Sequence, residues 1–118
     1  EQYGMEWYGS QLMFYLLRPA ARLQAAILHH RNQVFPAGVP PRLIHMHVRW
    51  GDKVNEGVQL MPMWRYVQTA DSIRSAALAD SRDIFISSED ARAIEAAANF
   101  TDHWRFYYTR TPRVSGSM

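Results

Sequence analysis

Residues Arg42–Lys53 read RLIHMHVRWGDK. Within them Leu43–Val48 mixes aliphatic side chains with His45 and His47, and it lies between Pro40-Pro41 and Gly51. That punctuation favours a short β-strand over a helix. The strand runs directly into Arg49, Asp52 and Lys53, so it delivers charge to a loop suited to gripping an anionic, phosphate-bearing ligand. His45 and His47 are two residues apart and therefore share one side of the strand.

Upstream, Phe35–Pro41 (FPAGVPP) carries three prolines and a glycine and reads as a loop. Before it, Trp7–Asn32 is helical by spacing, with Leu12, Phe14, Tyr15, Leu16, Leu23, Ala26 and Ile27 as the apolar positions. Pro19 divides this run into two helices, since proline removes a backbone donor and clashes with the preceding turn. Ser10 is the expected cap of the first helix, and Pro19 fits the opening turn of the second. Downstream, Trp50–Met61 is a loop, and Pro62 opens a helix through about Ala79 with Trp64, Val67, Ala70, Ile73, Ala76 and Ala77 as its stripe. Asp83–Ser87 is a second strand, Ser88–Asn99 an Ala-rich helix with acidic residues at its start, and Trp104–Tyr108 a third strand.

Strands alternating with single helices imply right-handed crossovers and a parallel sheet. The expected fold is thus α/β, a Rossmann-like parallel sheet flanked by helices, in one domain spanning residues 1–118. A three-stranded parallel sheet is small and parallel sheets need cover on both faces, which suggests a domain truncated from a longer protein. A start at Glu1 without methionine and a small, polar end at Arg113–Met118 suggest the same.

Composition narrows the partners. The chain is 47% apolar and 20% charged, which is globular rather than disordered. Thirteen Lys and Arg against eleven Asp and Glu leave +2, too little for bulk nucleic-acid or membrane binding. Lys53 is the sole lysine, so the cations are almost all Arg, whose planar fork suits phosphate and carboxylate. No cysteine is present, which excludes disulfides and thiolate metal sites. The longest apolar stretch, Leu12–Leu17, is far too short to span a bilayer.

In open parallel sheets ligands bind beyond the carboxyl ends of the strands. Two ends are rich here: Arg49, Asp52 and Lys53 after the first strand, and Ser87, Ser88, Glu89 and Asp90 after the second. Arg49 and Asp52 serve either a ligand or each other as an ion pair. For Ser88 and Asp90 the expectation is helix capping. His45 is expected to be packed or backbone-bonded, whereas His47, nearer the strand end, contributes to the ligand site. Two histidines without a third ligand argue against a metal centre. No Gly-rich phosphate cradle of Walker or dinucleotide type occurs, so a phosphate would be met by side chains such as Arg49. Trp64 and Trp104 are expected in the core. Asn99-Phe100-Thr101 is a glycosylation sequon, a pattern that often arises by chance.

The order Trp7, Ser10-Gln11, Tyr15-Leu16-x-Arg18-Pro19, His47-Val48-Arg49-x-x-Asp52-Lys53-Val54, Pro62, Tyr66 and Ser88-x-Asp90 resembles the α1,6-fucosyltransferases of glycosyltransferase family 23. The similarity runs from about Trp7 to Tyr108, and the His-Val-Arg-x-x-Asp-Lys block is its specific part. The resemblance implies part of the nucleotide-sugar-binding domain of a GT-B-like, inverting, metal-independent enzyme without a cofactor. Its donor would be GDP-fucose, and its acceptor an N-glycan core or chitooligosaccharide-like glycan. It further implies that Arg49 holds the diphosphate, with His47, Tyr66 and Asp90 also at the donor. Asp52 and Lys53 match positions needed for activity, and a carboxylate shortly after them, here Glu56, is the base. Eukaryotic members are Golgi type II membrane proteins, with any anchor outside this chain.

Three positions depart from the pattern. Trp50 stands where the family often has a second arginine, Glu56 falls one residue early, and Glu89 replaces an aspartate. The family also continues with a later nucleotide-binding stretch, so the chain on its own is expected to lack transferase activity. Two other readings remain beside the fucosyltransferase: a degenerate module that binds nucleotide or glycan without turnover, and a small receiver-like α/β domain. Asp52 stands too alone for the last.

Overall fold

A computed structural model describes residues 3–114 of the chain. Two compact units, Glu1–Arg31 and Asn32–Met118, divide it. The first carries helix α1, Met5–Leu16, and most of helix α2, Ala21–Val34. The break falls around Pro19 as the sequence predicts, but two details differ. Ser10 is not a cap, since it sits inside α1 and its hydroxyl donates to the Glu6 carbonyl at 2.8 Å. A mid-helix serine readily turns to the carbonyl four residues back. Pro19 precedes the second helix rather than opening it, and its carbonyl accepts from Gln24 Nε2 at 2.8 Å.

In the second unit the predicted alternation holds. Strand β1 is Ile44–His47, helix α3 Met63–Ala77, strand β2 Asp83–Ser87, helix α4 Ala91–Ala97 and strand β3 Arg105–Tyr107. The sheet is parallel in the order β1-β2-β3, with Ile44 opposite Ile84, His47 opposite Ser87 and Phe85 opposite Tyr107. The loop expected over Trp50–Met61 contains a 3-10 helix, Gly51–Glu56, which ends at Gly57 with φ of 73°. A left-handed backbone of this kind favours glycine.

One side of the sheet supplies the core. Ile44, Met46, Val48, Ile84 and Ile86 pack with Met63, Val67 and Ala70 of α3 and Ala93 and Ala97 of α4. A parallel sheet in simple sequential order, joined by crossovers of one hand, puts both connecting helices on that side. The spacing Met63, Val67, Ala70 sets the buried phase of α3. Trp64, expected in the buried stripe, is instead half exposed, with Arg65 stacked over its ring at 5.0 Å. Trp104 is in the core as expected, 1% exposed, and its indole N–H donates to Asp71 at 3.1 Å. Small Ala93 and Ala97 let α4 approach the strands closely.

The other side carries His45, His47, Phe85, Ser87 and Tyr107, with Phe35 packed on Phe85 and Tyr107 at 5.9 and 5.0 Å between centroids. At the amino end of β2, Asp83 accepts from Arg105 Nε and Nη2 at 2.8 and 2.9 Å and from the Tyr107 hydroxyl at 3.1 Å. Burial, then this bond to Asp83, pushes the Tyr107 phenol above its ordinary range. Among the described residues no helix is long and apolar enough to cross a membrane.

Candidate functional site

The carboxyl ends of β1 and β2 frame a cleft of about 620 Å³ lined by His47, Arg49, Gly51, Asp52, Asn55, Glu89 and Val114. A neighbouring hollow of about 440 Å³ shares His47, Glu89 and Val114 and adds Ser87, Ser88, Thr109, Thr111 and Arg113. Position follows from chain direction: parallel strands all end at one edge, and the loops that leave them meet there.

Arg49 leaves β1 exposed at the cleft wall. Among the described residues no carboxylate lies within ion-pair distance of it, so the Arg49–Asp52 pair that was one of two expectations does not form. Elsewhere Arg42, Arg74, Arg92 and Arg105 are each neutralised, by Asp80, Asp71, Asp90 and Asp83. Trp50, in contrast, turns inward: half-buried against the core, it donates its indole N–H to the Met61 carbonyl at 2.8 Å and ties down the end of the loop. Gly51 comes so close to the Glu89 side chain that an added Cβ would lie 2.6 Å from Glu89 Oε1. The absence of a side chain there lets Glu89 lie against the loop.

The remaining predicted residues separate. Asp52 is exposed in the cleft wall. Lys53 and Glu56 form an ion pair with each other on the 3-10 helix, and neither lines the cleft. Tyr66 belongs to α3 and lines a different pocket beside β1, with Arg65, Thr69 and Ile73. Asp90 is fully buried and caps α4, accepting from the Arg92 backbone N–H at 2.9 Å and from Arg92 Nε at 3.0 and 3.1 Å. The Arg92 side chain, helped by the backbone bond and opposed by burial, holds the Asp90 carboxyl below the usual carboxylate range. Ser88 Oγ accepts the Asp90 N–H at 3.1 Å, so the capping expected for this pair is what they do.

His45 bonds a side chain rather than the backbone, and its ring lies against Phe85 at 5.6 Å between centroids without being buried. It is exposed, and its Nε2 lies 2.7 Å from Ser87 Oγ. His47 Nδ1 lies 3.1 Å from the same oxygen. Among the described residues no group of three or more His, Asp and Glu side chains converges.

Arg113 is the cation that sequence reasoning missed. After β3 the chain returns across the strand ends, and Val114 pairs with the β2–α4 loop through its N–H to Glu89 O at 3.0 Å. Arg113 is pinned by Nε–H to Ser88 O at 3.1 Å, Nη2 to Thr109 Oγ1 at 3.3 Å, and stacking over Tyr108 at 5.5 Å. These partners are neutral, so among the described residues its charge is uncompensated while its fork is held in place. No signal in an irregular segment of Thr, Arg and Pro marks such a return. The strand ends therefore place Arg49 and Asp52 in the cleft and Arg113 in the adjoining hollow, with His47 and Glu89 lining both. That set can bind an anion with bidentate oxygens and present carboxylates to its neutral portion. No protein-family model matches the chain, and neither a curated protein nor a solved structure does.

Proposed function

We propose that this chain forms part of the donor-binding half of an inverting fucosyltransferase that takes GDP-fucose and transfers the sugar to a glycan hydroxyl, in an α1,6 linkage to an N-glycan core. The observation that carries the reading is Arg49, an unpaired guanidinium at the carboxyl end of β1 inside the cleft. It is also the arginine of the His-Val-Arg-x-x-Asp-Lys block on which the resemblance to family 23 rests. Arg113 supplies a second, pinned cation in the adjoining hollow, in a chain whose Trp50 is turned to the core. Two guanidiniums on a diphosphate stabilise it as it departs, because they face the charge that grows on the leaving group. Asp52 and Glu89 then line the side of the cleft toward a neutral sugar.

Calorimetric titration of GDP, with inorganic pyrophosphate as the minimal anion, tests this. Arg49→Ala is expected to weaken GDP binding by about thirtyfold, the effect of deleting one charge-assisted hydrogen-bonding group. Equal affinity for GDP in the wild-type chain and Arg49→Ala would remove the reading.

A second reading has its own observation. Glu56, the candidate base, is tied to Lys53 and stands outside the cleft. This favours a module that binds nucleotide without turnover. GDP binding by the parent protein without fucose transfer to an N-glycan acceptor would select it.

A further inference from the structure

Ser87 lines the hollow beside the cleft and His45 lines neither, yet both are joined to His47. Ser87 stands directly opposite His47 across the parallel pair, and His45 lies diagonally, two residues back on the same side. The serine oxygen therefore meets both rings, His45 Nε2 at 2.7 Å and His47 Nδ1 at 3.1 Å. His45 is steadied by Phe85, its register partner, at 5.6 Å between ring centroids.

A hydroxyl has one proton to give and can donate to only one of these rings. The direction of the chain of bonds then decides what His47 offers the cleft. If the hydroxyl donates to His45, His47 must donate from Nδ1, and its neutral ring shows a bare Nε2 lone pair outward. If it donates to His47, that ring carries its hydrogen on Nε2 and shows a donor. The cleft holds Arg49 beside His47, and the oxygens of the anion that a guanidinium suits only accept.

We propose that Ser87 is a positioning residue that, with His45, sets His47 in the tautomer donating from Nε2 to a phosphate-type oxygen. The bonds run His45 Nε2–H to Ser87 Oγ, and Ser87 O–H to His47 Nδ1. No bond to carbon forms or breaks. The proposal rests on the diphosphate reading of the cleft, and deepens it by adding two residues that act on the ligand through His47.

The test uses the full chain and inorganic pyrophosphate. Nitrogen NMR of the imidazoles at alkaline pH is expected to find His47 Nδ1 unprotonated and Nε2 protonated, with the same tautomer at His45. Ser87→Ala is expected to weaken pyrophosphate binding about tenfold, and Ser87→Thr, which keeps the hydroxyl and suits a strand, to restore it. His45→Phe, which keeps a ring against Phe85, is expected to weaken binding about threefold in the wild-type background and not at all beside Ser87→Ala. A protonated Nδ1 on His47, or a His45→Phe effect that persists without the serine hydroxyl, overturns the relay while binding itself remains. Failure of the wild-type chain to bind pyrophosphate at all overturns the diphosphate reading, and the role given to His47 with it.

Discussion

Replacing Asp90 with alanine removes the N-cap of α4 and the carboxylate that grips Arg92 in one step. The cap is the larger loss. An Asp-to-Ala change at an N-cap costs about 1–2 kcal/mol, and here the Arg92 N–H loses its 2.9 Å acceptor at a fully buried position. The guanidinium of Arg92 is open to water, so losing its partner adds little. For a unit of this size, with a urea slope of about 1 kcal/mol/M, the midpoint should fall by about 1–2 M. Asp90→Asn keeps an acceptor oxygen, caps nearly as well, and should stay within about 0.5 kcal/mol of wild type. The carboxyl is held below its ordinary value, so its contribution is present above the unfolded value, 3.8, and is lost as the pH falls through the folded one. The gap between wild type and Asp90→Ala should therefore narrow in strong acid by the charge-dependent share of the cap. The same variants separate structure from ligand binding, because family resemblance assigns Asp90 to the donor while its geometry assigns it to α4. Asp90→Asn should bind pyrophosphate within about twofold of wild type, since its oxygens face Arg92. An unchanged urea midpoint in Asp90→Ala, or a tenfold loss of affinity in Asp90→Asn, would refute this reasoning.

Trp50→Arg, which places there the residue common in the fucosyltransferases that the sequence resembles, should cost about 2–3 kcal/mol in urea unfolding without tightening pyrophosphate binding, because the side chain leaves the core and its bond to Met61 O. Tighter binding would mean that the loop can turn position 50 into the cleft. Tyr107→Phe should flatten the alkaline end of the stability profile. The folded phenol is raised, so its contribution is present below the unfolded value of 10.0 and is lost as the pH climbs through the folded one. Unfolding curves of wild type and variant that stay parallel through that range would remove Tyr107 as the cause.

The strands and crossovers were legible because proline, glycine and short β-branched or aromatic runs punctuate them. Asp83–Ser87 falls where the residues place it. Boundaries and helix phase were less so. Met63 rather than Trp64 faces inward because the buried positions begin one residue earlier than the aromatic side chain suggests, and α4 starts only after Ser88 and Asp90 have committed their side chains to the cap. The Lys53–Glu56 pair depends on a 3-10 helix, in which residues three apart eclipse, and a segment read as loop gives no such spacing. Arg49 and His47 could be found from strand direction alone. Arg113 could not, since its place at the strand ends is made by the pairing of Val114 with Glu89, between segments about 25 residues apart with no periodic pattern to announce it. Ser87 between His45 and His47 was within reach, because strand register follows once both strand ends are known.

Charge pairing carries the functional reading further than motif matching does. Where this fold uses arginine for structure, it supplies an aspartate: Asp80 for Arg42, Asp71 for Arg74, Asp90 for Arg92, Asp83 for Arg105. Arg18, Arg22, Arg31, Arg65, Arg82 and Arg110 also lack a carboxylate partner among the described residues, so what sets Arg49 and Arg113 apart is their place at the strand ends, where Arg113 is fixed by carbonyl and hydroxyl oxygens. The groups expected to do chemistry show the opposite arrangement, since Lys53 and Glu56 neutralise each other away from the cleft. On the fucosyltransferase reading proposed above, Glu56 would serve as base only if that pair opens and the loop ending at Gly57 brings the carboxylate inward.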